Sequence, residues 1–129
     1  MSSVIENLKQ KEFFCSLQGK TDTEILQAQE ALGLQFAKDY RVYLETFGLA
    51  SYEGHELTGL CPSKRLNVID VTQHDRERTS GIQDDWYVIE ETNIDDIIIW
   101  QDSKGVIYQT APGSAPEKIH NSLSEYINS

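Results

Sequence analysis

The chain has 129 residues, 39% of them hydrophobic and 25% charged, and its 11 Lys and Arg against 21 Asp and Glu give a net charge of −10. This length predicts one domain over residues 1–129 that folds without a disulfide or metal to hold it together. The negative charge argues against nucleic-acid binding, which depends on Lys and Arg neutralising phosphates, and no apolar run is long enough to span a bilayer.

The N-terminal segment predicts a helix over residues 4–14, with Val4 and Leu8 on its apolar side. Residues 1–20 are charged and lack the apolar core of a signal peptide, so we expect a cytoplasmic protein with no membrane partner. Cys15 and Cys61 are far apart and belong to no C-x-x-C pair. Two reduced thiols are expected in that compartment, and a single disulfide is the alternative.

Residues 21–48 predict two helices separated by a glycine. Thr21 and Glu24 have the spacing of a capping box, and Gly33 stands where a left-handed cap would end the first helix. The second helix carries aromatic and aliphatic side chains at i, i+3, i+4 and i+7 and ends at Gly48. We expect these apolar faces to pack on a larger element and not to contact a partner.

The middle of the chain predicts shorter elements. Residues 51–60 favour a strand or a bent hairpin interrupted by Gly54, and residues 67–69 favour a short strand. Asp70 or Thr72 can then cap a polar, solvated helix that runs to about Arg78.

Residues 86–110 carry the strongest strand signal. Three runs rich in β-branched and aromatic residues are separated by turns at 93–96 and 102–105, which predicts an antiparallel meander. Pro112, Gly113 and Pro116 break this pattern, and a C-terminal helix follows, with its inner face formed by Ile119, Leu123, Tyr126 and Ile127. Helices on both sides of an antiparallel sheet in chain order predict an α+β fold.

Motifs for catalysis or cofactor binding are missing from the sequence. His55, His74 and His120 are dispersed, without the spacing of metal ligands, and there is no P-loop, G-x-G-x-x-G or G-x-S-x-G. The pairs Asp84–Asp85 and Asp95–Asp96 lack the spacing of a calcium loop and suit turns and strand ends. We therefore expect neither cofactor nor metal, and no enzyme activity.

Two neighbouring segments resemble a known family. Residues 30–34 (EALGL) and 39–44 (DYRVYL) are similar to the L-G-x-x-L-P-x-D-Y region of the SUKH superfamily, which includes the Syd and Knr/Smi proteins. Weaker similarity follows in order along the chain, at residues 54–60, 88–91, 105–108 and 122–127. The chain departs from the family at Phe36-Ala37, where Leu-Pro is usual, and at Phe47-Gly48-Leu49, where Asn-Gly-Gly is common.

The resemblance implies a non-catalytic immunity protein that binds and neutralises a cognate toxin, often a nuclease. Charge agrees, since residues 84–104 hold seven acidic side chains against one Lys, and an acidic surface suits the basic face of a nuclease. Tryptophans usually lie in the core or at its rim, but they can also anchor a partner. The predicted interface combines the acids with two tryptophans as candidate anchors: Asp84, Asp85, Trp86, Glu90, Glu91, Asp95, Asp96, Trp100 and Asp102.

Two alternatives to a toxin-binding protein stay open. The first is a regulatory or scaffolding module of the Knr/Smi type without a toxin partner. The second is a small acid/base enzyme, for which a deep pocket holding a carboxylate of strongly raised pKa would be the sign. The sequence predicts no oligomeric state.

Overall fold

The chain combines five helices with antiparallel strands, four of which follow one another in a meander, and the predicted α+β class is confirmed. The computed structural model describes residues 3–129. Its helices are α1 (Ser3–Lys9), α2 (Asp22–Leu32), α3 (Lys38–Phe47), α4 (Val68–Glu77) and α5 (Leu123–Ile127). Its strands are β1 (Cys15–Ser16), β2 (Ala50–Tyr52), β3 (His55–Glu56), β4 (Tyr87–Glu91), β5 (Ile98–Gln101), β6 (Ile107–Thr110) and β7 (Glu117–His120).

The predicted pair of helices, α2 and α3, is confirmed together with its end signals. Thr21 and Glu24 form a reciprocal capping box, and Gly33 takes a left-handed conformation whose amide donates to Gln29 and Glu30 carbonyls. Gly48 ends α3 with φ 68°, and a Cβ at this residue would lie 2.3 Å from the carbonyl oxygen of Gln18. Glycine is therefore required here both by conformation and by the close approach of the backbone.

Strands β4, β5, β6 and β7 form an antiparallel meander between two layers of helices. Tyr87, Ile89, Ile99 and Ile107 point into the main core, which they share with α1, α2, α3 and α5. Val88, Ile98 and Trp100 point the other way and pack with Val71 of α4. Strands β1, β2 and β3 form a second, smaller sheet, and the predicted bend at Gly54 is the tip of its β2–β3 hairpin.

Two predicted elements and the predicted exposure of a helix are wrong at the start and in the middle of the chain. Helix α1 ends at Lys9 and not at residue 14, and Phe14 instead packs edge-on against Phe47, with ring centroids 5.0 Å apart. The strand predicted at 67–69 is the start of α4, because the Asn67 side chain accepts a hydrogen bond from Ile69 N and caps the helix. Helix α4 is also not solvated all round, since Val71, Thr72 and Asp75 are buried.

The predicted C-terminal helix is divided into a strand and a short helix. Residues Glu117–His120 pair with β6 as the fourth strand of the meander, and only Leu123–Ile127 are helical. Ser122 accepts a hydrogen bond from Glu125 N and fixes the start of α5. The i, i+4 spacing of Ile119 and Leu123 imitated a continuous helix because both side chains face the same core from different elements.

Both cysteines are free, as expected, with Cys15 exposed and Cys61 half-buried. None of the helices in residues 3–129 combines the length and the hydropathy needed to cross a membrane.

Candidate protein-binding surface

The residues predicted to form one interface are divided between the two ends and the two faces of the β4–β5 hairpin. Asp84, Asp85 and Asp102 lie at the end where β4 begins and β5 finishes. Asp95 and Asp96 lie at the opposite end, in the turn that joins the two strands. The structure therefore does not unite these acids into a single acidic face.

Asp102 and Asp85 hold the turn between β5 and β6 through hydrogen bonds. Asp102 accepts hydrogen bonds from the backbone amides of Lys104 (2.9 Å) and Val106 (3.0 Å) and from the Tyr108 hydroxyl (2.9 Å). Asp85 accepts from both the amide and the hydroxyl of Ser103. Burial, the hydrogen bond to Asp102 and the Asp102 charge raise the pKa of Tyr108 to about 12.

The tryptophans predicted as anchors belong to the layer between the sheet and α4. Trp100 is fully buried, and its indole Nε1 donates to Thr110 Oγ1 at 2.9 Å. Trp86 is 5% exposed and stacks on Tyr108, with ring centroids 3.9 Å apart. Helix α4 covers the face of the sheet on which both rings lie, so neither ring is exposed on the surface.

Glu90 turns toward the main core because β4 contains a bulge. Val88 pairs with Trp100 and Glu90 with Ile99, so Ile89 is the extra residue and Glu90 changes face. Its carboxylate, only 3% exposed, accepts from the Tyr126 hydroxyl and lies 3.0 Å from His55 Nδ1. Burial raises the pKa of Tyr126, and the Glu90 charge raises it further.

Glu91 faces the other way, toward α4, and meets the carboxylate of Asp75. Burial raises the pKa of Glu91 to about 7, the hydrogen bond and charge of Asp75 add to the rise, and Arg78 and Arg65 oppose it. The cleft beside Glu91 has a volume of about 80 Å³ and is lined in part by Glu56 and Arg65. A carboxylate of raised pKa is thus present, but the deep pocket expected of an enzyme is not found beside it among the described residues.

Asp84, Asp95 and Asp96 are the predicted acids that stay exposed. Asp95 and Asp96 have left-handed backbone conformations, with φ 53° and 56°, which Asp tolerates better than most residues. Between this pair and Asn93, which has φ 60°, the side chain of Ile94 is 64% exposed. We name the turn of residues 92–97 the acidic tip; it presents one aliphatic side chain beside two carboxylates.

Ile94 was not predicted as an interface residue, because an isoleucine inside a predicted turn was assigned no role. Its exposure follows from the turn itself, in which Thr92 Oγ1 accepts from Ile94 N and donates to Ile97 O at 2.8 Å. The sequence did contain a signal for this exposure. An apolar residue flanked by turn-forming Asn and Asp is expected to be exposed, since nothing in such a turn covers its side chain.

The SUKH_5 family model, described as SMI1-KNR4 cell-wall, matches residues 1–129. The chain belongs to the SUKH superfamily. That superfamily includes toxin immunity proteins, and its domains bind partner proteins and are in general non-catalytic. No curated relative matches the sequence.

The signature residues of this SUKH domain hold the scaffold together. Asp39 accepts from Gln101 Nε2 and from Leu123 N, both at 2.9 Å, and so joins α3 to β5 and α5. Tyr40 and Tyr43 both hydrogen-bond Thr58 at 2.8 Å, through its hydroxyl and its carbonyl oxygen respectively. These hydrogen bonds join separate elements of the domain, so the signature residues have a structural role.

Proposed function

We propose that this SUKH domain is an immunity protein that binds and neutralises a cognate toxin domain, a nuclease with a basic surface being the best fit. The match of the family model to the full length of the chain is the observation that carries the proposal. The net charge of −10 supports it independently, because an acidic protein is attracted to the basic surface with which a nuclease holds its substrate.

The acidic tip is the part of the predicted interface that best suits such a partner. Asp95 and Asp96 are exposed, no ion pair engages them among residues 3–129, and Ile94 beside them offers apolar area for a contact from which water is excluded. Asp84 is equally exposed but lies at the other end of the hairpin, where the neighbouring acids Asp85 and Asp102 are already hydrogen-bonded.

The decisive experiment pairs this protein with the toxin encoded beside its gene. Asp95→Asn with Asp96→Asn removes two charges and keeps side chains that tolerate the left-handed backbone, so the fold is preserved. We expect weaker binding, a reduced dependence of the association rate on salt, and loss of protection in cells that express both proteins.

The matched control for this double variant is Asp84→Asn, which removes the same kind of charge at the opposite end of the hairpin and should leave binding unchanged. Unaltered binding by the double variant, or an equal loss in Asp84→Asn, would place the interface elsewhere. The immunity function itself would be refuted if no toxin gene lies beside the gene for this protein and no toxin domain binds the protein on co-expression.

A regulatory or scaffolding module is the second candidate. The description of the matched family model, SMI1-KNR4 cell-wall, is the observation that favours it. The two functions differ in genomic position, since an immunity gene should lie next to a large toxin gene and a scaffold gene need not.

A further inference from the structure

The carboxylate of Asp75, on α4, is fully buried and only half satisfied. Its Oδ1 lies 3.2 Å from Arg78 Nε and 3.1 Å from His74 Nδ1. Its Oδ2 has no N–H or hydroxyl donor in the part of the chain that the structure describes. A buried carboxylate oxygen without a donor costs free energy, so something else should satisfy it.

Two further ligand-type side chains lie beside the Asp75 carboxylate. Glu91, on β4, brings a second carboxylate against Asp75 where α4 packs on the sheet, and His74 precedes Asp75 on the helix. His74, Asp75 and Glu91 can each offer one ligand atom within 4.8 Å of the atoms offered by the other two. The histidine side chain is 68% exposed, which leaves a path from solvent to the cluster.

The arginine side chains nearby give no hydrogen bond to Oδ2 of Asp75. Arg78 engages only Oδ1 of Asp75, and Arg65 is committed to Glu56 through two hydrogen bonds of 2.8 and 3.2 Å. Two carboxylates placed together at a half-buried site repel each other unless a cation or a proton lies between them. A proton shared by Glu91 and Asp75 relieves the repulsion at low pH. A cation relieves it once that proton is lost, and it also supplies a partner for Oδ2.

We propose that His74, Asp75 and Glu91 form a binding site for a first-row divalent metal ion such as Zn²⁺ or Mn²⁺. One imidazole and two carboxylates form a nitrogen and oxygen donor set suited to these ions, whereas Ca²⁺ prefers a larger set of oxygen ligands. Arg78 orients the Asp75 carboxylate from behind, and water completes the coordination on the exposed side. The metal joins α4 to β4, and the site is independent of the proposed immunity function.

Titration calorimetry on the chelator-treated full chain tests the site with ZnCl₂ and with MnCl₂. The titrations use a Cys15→Ser, Cys61→Ser background, because the free thiols would bind zinc by themselves. We expect one ion bound per chain and a higher melting temperature in its presence. His74→Gln and Glu91→Gln should each weaken binding by at least about tenfold, the loss typical even of outer-shell substitutions.

Glu77→Gln is the matched control, because Glu77 is an exposed acid on the same helix outside the cluster, and its substitution should leave binding unchanged. These variants carry changes at exposed or half-exposed side chains, so they keep the fold where Asp75→Asn could lose it. The proposal is overturned if neither ion binds saturably. It is also overturned if binding is the same in His74→Gln and Glu91→Gln as in the control, which would show adventitious surface binding.

Discussion

Asp39 offers a direct test of how the signature residues hold this fold. Although it lies on α3, its carboxylate accepts from the side chain of Gln101 on β5 and from the backbone amide of Leu123, 84 residues away. Asp39→Ala removes both acceptors at once. The Leu123 amide belongs to the first turn of α5, where no earlier residue of the helix can accept from it.

The expected loss follows from these two hydrogen bonds. A hydrogen bond to a charged group contributes about 1.5–3 kcal/mol. The Gln101 amide keeps a second acceptor, the carbonyl oxygen of Gly105 at 3.1 Å, and Asp39 itself is only half-buried. Both facts reduce the loss, and we expect Asp39→Ala to lower the free energy of unfolding by about 2–4 kcal/mol. Asp39→Asn should cost roughly half as much, because its oxygen can still accept one of the two bonds.

Urea unfolding followed by tryptophan fluorescence measures this loss, and hydrogen exchange of the α5 amides shows whether the C-terminal helix is released first. Arg41→Ala, at an exposed position on the same helix, is the control and should change stability by less than about 0.5 kcal/mol. If Asp39→Ala behaves like this control, or if exchange in α5 is unchanged, then Asp39 does not connect α3 to α5 energetically.

Three other substitutions test the core, a close backbone contact and the carboxylate pair. Leu44→Ala, at a fully buried site, should cost about 2–5 kcal/mol in urea unfolding without changing partner binding per folded molecule, and a stable variant that lost only binding would contradict this. Gly59→Ala would place a Cβ 2.0 Å from the Gly48 carbonyl oxygen and should cost about 3 kcal/mol or more, whereas an unchanged melting temperature would refute the clash. In metal-free buffer, the pKa of Glu91 is about 7 in the folded protein, against an ordinary value of 4.5, so its contribution to stability is lost as pH rises across that interval. The free energy of unfolding, measured at about pH 5 and about pH 8, should fall by about 1–2 kcal/mol in the wild type once screening by solvent is included. Glu91→Gln should lack this fall, and an equal pH dependence in both proteins would contradict the prediction.

The elements that sequence analysis predicted well are those whose signals are local. The capping box at Thr21 and Glu24, the glycine after each helix and the turns of the meander each specify a boundary within a few residues. The start of α4 was predicted too late because Asn67 was assigned to a strand when it is a helix cap. The division between β7 and α5 depends on pairing with β6, a contact that no local pattern reports.

The candidate site was less predictable, because burial in a sheet depends on what covers each face. Trp100 was a candidate anchor for a partner, yet it is buried beneath α4, a helix that was predicted to be solvated. Glu90 was counted as an exposed acid, yet the bulge at Ile89 moves it into the core beside Tyr126. A count of charges along the chain detects neither event, since both follow from packing.

The acidic composition of this protein has two separate physical roles. Asp39, Asp85 and Glu90 each lie within hydrogen-bonding distance of two groups from another element or turn, and Asp102 binds amides of its own turn and the Tyr108 hydroxyl. Such carboxylates are held by groups inside the fold, so they connect its elements. Under the proposed function, direct contacts with a basic partner would come from exposed acids such as those of the acidic tip. Because few residues dominate the energy of most interfaces, a change confined to that turn can alter partner choice without altering the scaffold.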